Sequence, residues 1–171
     1  KVRENPYRLA LDIHGIGFKT ADTLAQKLGI APDSLIRAQA GVRHVLQEWS
    51  SEGHCAGVRQ TLCVMAVKLL AIPVAIIDAA ITAELVEGNL IAEIINQDEV
   101  IFLTPLYRAE IGCATHLLRL NQGEPPWGSI DAQKAIPWVE GQTRLTLSTS
   151  QRAAIELVLQ HKVAVITGGP G

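Results

Sequence analysis

A chain of 171 residues, 48% hydrophobic and only 4% aromatic, can bury one good core or two small ones, built from Leu, Ile, Val and Ala. Its formal net charge of −2 excludes a global positive field that would gather polyanions. The charge is uneven: residues 1–70 hold nine Lys and Arg against six Asp and Glu, and residues 71–171 hold six against eleven, so the first part is the basic one.

Asn5-Pro6 reads as the start of a helix, with Asn as cap and Pro at the first helical position. Pro6, Leu9, Ala10 and Ile13 fall on one face of it. The stretch Ile13-His14-Gly15-Ile16-Gly17-Phe18-Lys19-Thr20-Ala21 follows, and a second apolar stripe runs through Phe18, Ala21, Leu24, Ala25 and Leu28. Two short helices are therefore expected around a tight turn, with Gly15 and Gly17 at positive φ, Ile16 plugged into the core, and Ala21 small where the helices approach. The first amides of the second helix lack intrahelical acceptors and sit at the positive end of its dipole, which suits a phosphate. The pattern apolar-x-Gly-apolar-Gly-x-x-x-Ala resembles the helix-hairpin-helix motif, which binds DNA phosphates without reading sequence. His14, Gly15, Ile16, Gly17, Lys19 and Thr20 are the candidate DNA-binding residues. An ordinary tight αα-hairpin would use the same glycines for the turn alone.

Gly29 is placed to end the second helix. Asp33 or Ser34 caps a longer one, with a stripe of Leu35, Ile36, Ala40, Val42, Val45, Leu46 and Trp49, leaving Arg37, Arg43 and Glu48 off the stripe. His54 to Gly57 reads as loop, Val58 to Ala71 as a central helix apolar nearly all round, and Val74 to Val86 as a further helix after Pro73. The period then changes. Leu90 to Ile95 and Glu99 to Thr104 flank Asn96-Gln97-Asp98 and predict a β-hairpin, like the wing of a winged-helix module. Pro105 starts another helix with a stripe from Leu106 to Leu120. Residues 124–147 read as a linker, holding a short helix near Ile130 to Lys134 and a brief strand at Arg144 to Leu147.

Ser148 and Gln151 have the spacing of a capping box, opening a helix that buries Ala154, Ile155, Val158 and Leu159. Val163-Ala164-Val165-Ile166 then suits a strand covered on both faces, running into Thr167-Gly168-Gly169-Pro170-Gly171 as a phosphate-binding loop begins. A plain Gly-Pro-Gly turn is the alternative. If unpartnered, this strand is expected to pair with Arg144 to Leu147 or with another copy of the chain, or to be poorly ordered.

Leu147-Ser148-x-x-Gln151-x-x-Ala154-Ile155 with Val165 to Gly171 looks like the start of a superfamily 1 helicase motor. Joined to Asn5-Pro6-Tyr7 and to Gly15 through Asp22, with Gly53-His54, Val100 to Leu103 and Leu106 to Glu110, it resembles the RecD-like DNA helicases. These are relatives of the exodeoxyribonuclease V alpha subunit. The resemblance runs over essentially the whole chain. It implies a parent enzyme of DNA repair and recombination that uses ATP and magnesium to unwind DNA five-prime to three-prime. It assigns Gln151 to the adenine base, and Gly168, Gly169, Pro170 and Gly171 to the nucleotide loop. The loop lysine, the magnesium-binding acid and the second motor domain are not in this sequence. The chain itself is therefore expected to bind DNA weakly, to hold no nucleotide and to be non-catalytic.

The expected fold is mainly α. A helix-hairpin-helix domain occupies 1–89, a wing-like extension 90–123 and a linker 124–147, with the truncated start of a RecA-like α/β motor at 148–171. The expected partner is single-stranded or forked DNA, with self-association through the last strand. A protein-interaction scaffold is the alternative function. Cys55, Cys63 and Cys113 are odd in number and widely spaced, so neither a disulfide framework nor a metal site is expected, and a bacterial cytoplasm is the expected compartment. The longest apolar run, Leu62 to Ile77, is broken by Lys68 and Pro73 and is too short to span a bilayer.

Overall fold

The computed structural model describes residues 5–9 and 17–168. His14, Gly15 and Ile16 of the predicted turn lie outside these residues, as do Gly169, Pro170 and Gly171 of the predicted nucleotide loop. Among the described residues the architecture is mainly helical with one three-stranded antiparallel sheet. The chain divides into two units, Lys1–Ala109 and Glu110–Gly171.

In the first unit, α1 (Phe18–Lys27) and α2 (Leu35–Ser51) are joined by a short connector. Gly29 ends α1 as predicted. At φ +88° its N–H donates to the Gln26 carbonyl and the Ile30 N–H to the Ala25 carbonyl, both at 3.0 Å, which satisfies two carbonyls of the last turn. Strand β1 (Ala56–Val58), α3 (Arg59–Leu70) and α4 (Val74–Val86) follow. Pro73 breaks the apolar run, and α3 and α4 bend by 118° there. Their buried faces, including Leu62, Ala66, Leu70, Ile77, Ala80 and Ile81, join Ala38, Val42, Val45 and Leu46 of α2 in one aliphatic core. No single helix among the described residues is long and apolar enough to cross a membrane.

The predicted hairpin forms as β2 (Leu90–Ile95) and β3 (Asp98–Leu103), in register from Leu90 opposite Leu103 to Ile95 opposite Asp98. Its turn is two residues, Asn96 and Gln97, both at positive φ, rather than the three expected. Strand β1 corrects the loop expected at His54 to Gly57. Three residues are too few to show alternation, and β1 is a strand only because β3 offers it a ladder, Ala56 opposite Phe102 through Val58 opposite Val100. Helix α5 (Thr104–Leu120) begins one residue before Pro105.

In the second unit, α6 (Ala132–Thr143) corrects the expected linker and its shorter helix. Asp131 caps it, accepting from the Gln133 N–H at 3.0 Å, and Pro137 lies inside it. Helix α7 (Thr149–Gln160) opens with the predicted capping box. Two strand expectations fail here. Neither Arg144 to Leu147 nor Val163 to Ile166 forms a strand, and the two do not pair. The apolar composition of Val163 to Ile166 favours a strand, but no ladder partner stands beside it among the described residues, and Val165 and Ile166 are exposed. Of the stripe Ala154, Ile155, Val158 and Leu159 expected to be buried, Ile155 and Val158 are exposed and Ala154 and Leu159 are half-buried, and Ile136 is the one buried hydrophobic side chain among the described residues of this unit.

Candidate nucleic-acid interface

Phe18, the first residue of α1, fixes how this helix presents itself. Its ring lies between Tyr7 and His44, stacked at centroid distances of 5.9 and 4.9 Å. Phe18, Ala21 and Ala25 fall at helical spacing and are buried, so one face of α1 is committed to the core. Ala21 is fully buried, as its small size predicts for a close approach.

A polar tie fixes the same helix from the side. Asp22 accepts from the Tyr7 hydroxyl at 2.7 Å, from Arg37 Nε at 2.9 Å and from Arg37 Nη2 at 3.1 Å. Arg37 Nη1 donates to the carbonyls of Pro32 and Leu70, at 2.8 and 3.0 Å. Arg37, expected off the apolar stripe of α2, is therefore buried. Its charge is tolerated because all three of its nitrogens find acceptors. Burial pushes the Asp22 carboxyl up, but the hydrogen bonds from Arg37 and Tyr7 outweigh it and hold the group below the usual carboxylate range. Burial and the Asp22 carboxylate push the Tyr7 phenol well above its ordinary value.

The opposite face of α1 is open. Gly17, Lys19 and Thr20 are all exposed. Gly17 stands at the N-cap with φ −83° and ψ 168°, and no side chain among the described residues caps the helix. The expected positive φ is thus corrected at Gly17: its backbone is extended and open to any residue. A Cβ there would meet nothing within 4 Å among the described residues. The Ala21 N–H makes the first intrahelical bond, to the Gly17 carbonyl at 3.2 Å. The amides of Phe18, Lys19 and Thr20 have no acceptor among the described residues, and they sit at the positive end of the helix dipole.

Further along the same face, Lys19, Thr20, Thr23, Leu24 and Lys27 line one shallow groove. Neither lysine is paired with a carboxylate among the described residues. Thr23, Leu24 and Lys27 did not enter the predicted site. The eight-residue spacing of Lys19 and Lys27 was the available signal, and it needed the burial of Asp22 to become meaningful.

The residues predicted for nucleotide lie in the second unit. Gln151 Oε1 accepts from the Ser148 N–H at 2.9 Å, while Ser148 Oγ accepts from the Gln151 N–H at 3.3 Å. The side-chain carbonyl of Gln151 is therefore committed to the cap, which leaves its amide N–H groups as donors. Gly168 is exposed and belongs to no helix or strand. No cluster of three metal-ligating side chains exists among the described residues.

Residues 1–56 match the family model described as the ATP-dependent RecD2 DNA helicase HHH domain. The match covers α1 and α2, the two helices whose pairing turns Lys19 and Thr20 outward. The N-terminal third of the chain is therefore similar to the helix-hairpin-helix domain of a DNA helicase.

Proposed function

We propose that this chain is the N-terminal region of an ATP-dependent RecD-like helicase and that its first unit binds DNA through backbone phosphates. The observation that supports this reading most strongly is the front of α1. There, three amides without an acceptor among the described residues stand beside the exposed Lys19 and Thr20 and an extended Gly17, at which a Cβ would meet no described atom within 4 Å. These residues lie inside the stretch that matches the helix-hairpin-helix model. His14, Gly15 and Ile16 complete the proposed contact, with Gly17, Lys19 and Thr20. In the parent enzyme the DNA would be unwound five-prime to three-prime in recombination and repair.

ATP and magnesium are proposed for that parent. The residues here fit a nucleotide only in part. Gln151 keeps N–H donors for a base edge, and Gly168 opens a glycine-rich stretch. No catalytic role is assigned to any residue of this chain. The apolar run Val163 to Ile166 is proposed as a site of strand pairing with a second copy at high concentration.

Fluorescence anisotropy of the full chain against single-stranded, forked and duplex DNA tests the reading. Weak binding that falls steeply with salt is expected. Binding that ignores salt, or that is unchanged by Gly15→Val with Gly17→Val, overturns it. A second reading, a protein-docking scaffold, is favoured by one feature. Arg43, Gln47, Ser50, Asn89, Leu103, Pro105 and Leu106 line a groove of about 360 Å³ with a mostly apolar surface. A captured protein partner together with absent DNA binding would select it.

A further inference from the structure

The sequence of α1 is nearly charge-balanced: Lys19 and Lys27 against Asp22. The fold separates these charges. Asp22 is the sole carboxylate of α1, and it is turned inward with both oxygens held by Arg37. The two ammonium groups remain outside. The charges that α1 itself presents to solvent are thus both positive, although the helix as a segment is mixed.

The geometry of that face is a line rather than a point. At 100° and 1.5 Å per residue, Lys19, Thr23, Lys27, Thr20 and Leu24 fall within an arc of about 140°, and Lys19 and Lys27 stand about 12 Å apart along the axis. Between them Leu24 is 36% exposed, an apolar surface on a polar face. The Thr23 hydroxyl is committed to the Lys19 carbonyl at 2.9 Å, so it shapes the groove without donating to a ligand. The Thr20 hydroxyl has no partner among the described residues. The order along the helix is therefore donor cluster, apolar shelf, cation.

We propose that this face is a track for one unpaired nucleic-acid strand. The amides at Phe18 to Thr20, the Thr20 hydroxyl and Lys19 take one phosphate. Leu24 contacts the sugar that follows, and Lys27 takes a second phosphate further along. An unpaired strand can turn its sugar edges onto Leu24 while its phosphates reach both lysines, whereas a duplex holds its sugars in fixed orientation behind the phosphate line. The inference rests on the DNA-binding reading above and adds Leu24 and Lys27 to it.

The test is a salt titration of the full chain with a fluorescein-labelled thymidine 20-mer and with a blunt duplex of equal length. Removing one lysine from a single-strand phosphate should lower the slope of log K against log salt by about 0.7. Lys19→Gln and Lys27→Gln are each expected to lower it by that amount, the pair to lower it by about twice as much, and Lys27→Arg to restore it. Leu24→Ala should weaken single-strand binding several-fold with the slope unchanged. A purely structural role for Lys27, as a cation at the helix C-terminus, would change the thermal midpoint and leave the slope alone. If Lys19→Gln lowers the slope and Lys27→Gln does not, the track is overturned while the hairpin contact stands. Tighter binding to the duplex overturns the single-strand assignment. If the unmutated chain binds neither probe, both readings fail.

Discussion

Arg37 grips Asp22 through two nitrogens, Nε at 2.9 Å and Nη2 at 3.1 Å, across the interface between α2 and α1. Its third nitrogen closes on the carbonyls of Pro32 and Leu70. Arg37→Ala would strip Asp22 of its charged partner, leaving only the Tyr7 hydroxyl and the Gln26 amide on the carboxylate, and would take the Arg37 donor from the Pro32 and Leu70 carbonyls. The expected destabilisation is about 3 kcal/mol, read by urea unfolding followed by circular dichroism. Because the folded Asp22 carboxyl is held below its ordinary range, the stability it contributes is present above the unfolded aspartate pKa and lost as pH falls through the folded value. The variant should lose that part of the acid sensitivity.

His44 carries a second pH dependence of a different kind. Its ring stacks on Phe18, and its Nε2 lies 3.3 Å from a Glu48 carboxylate oxygen yet makes no hydrogen bond among the described residues. Burial pushes the imidazole pKa down, Glu48 pulls it up and Lys19 adds to the lowering. The unfolded chain therefore takes up a proton before the folded one does. Stability should fall as pH drops below about 6.5. Thermal midpoints at pH 7.5 and 5.5 should differ less in His44→Gln than in the unmutated chain.

Glu84 shows the opposite sign. It is fully buried in α4, and Arg43 Nη1 donates to its two oxygens at 2.8 and 2.9 Å. Burial raises the carboxyl pKa above the ordinary range despite Arg43. Arg43→Ala leaves a buried charge without compensation and should cost about 3–5 kcal/mol at neutral pH. A raised folded pKa means that the folded state binds the proton first. The deficit should therefore shrink as pH falls toward the unfolded glutamate value and grow as pH rises. Denaturant midpoints of Arg43→Ala at pH 5 and pH 8 check this.

Gly57 lies in β1 against the indole of Trp49, and a Cβ there would stand 2.0 Å from Trp49 Cζ3. The ring is half-buried and packed against the core, so it cannot swing away without opening the α2–β1 contact. Gly57→Ala is expected to destabilise the first unit by about 1–3 kcal/mol. The measurement is the shift in urea midpoint together with a change in tryptophan emission. An unchanged midpoint would show that Trp49 has room to move.

Much of the fold is written locally. Gly29 appears where a helix must stop, Pro73 where an apolar run must break, and Ser148 with Gln151 where a helix must start, and the structure has each feature in place. Turns and caps depend on φ preferences and on side-chain to backbone bonds a few residues apart, so the chain specifies them without help. The turn at Asn96 and Gln97 belongs to the same class. Strand β1 and the failed strand at Val163 to Ile166 belong to the other. A strand is defined by a neighbour, and its own residues do not reveal whether that neighbour exists.

The candidate interface divides along the same line. The sequence alone placed Gly17 and Lys19 at the start of a helix, because that motif is contiguous, while the rest of the predicted turn lies outside the described residues. It left undecided which charges of the helix reach solvent. Asp22 and Arg37 are 15 residues apart in the chain, and only their meeting withdraws the negative charge and leaves Lys19 and Lys27 as the charges of α1 at the surface. Net charge is a property of composition. The field that a ligand meets is a property of which groups the fold has already paired, and that pairing is set by contacts distant in sequence.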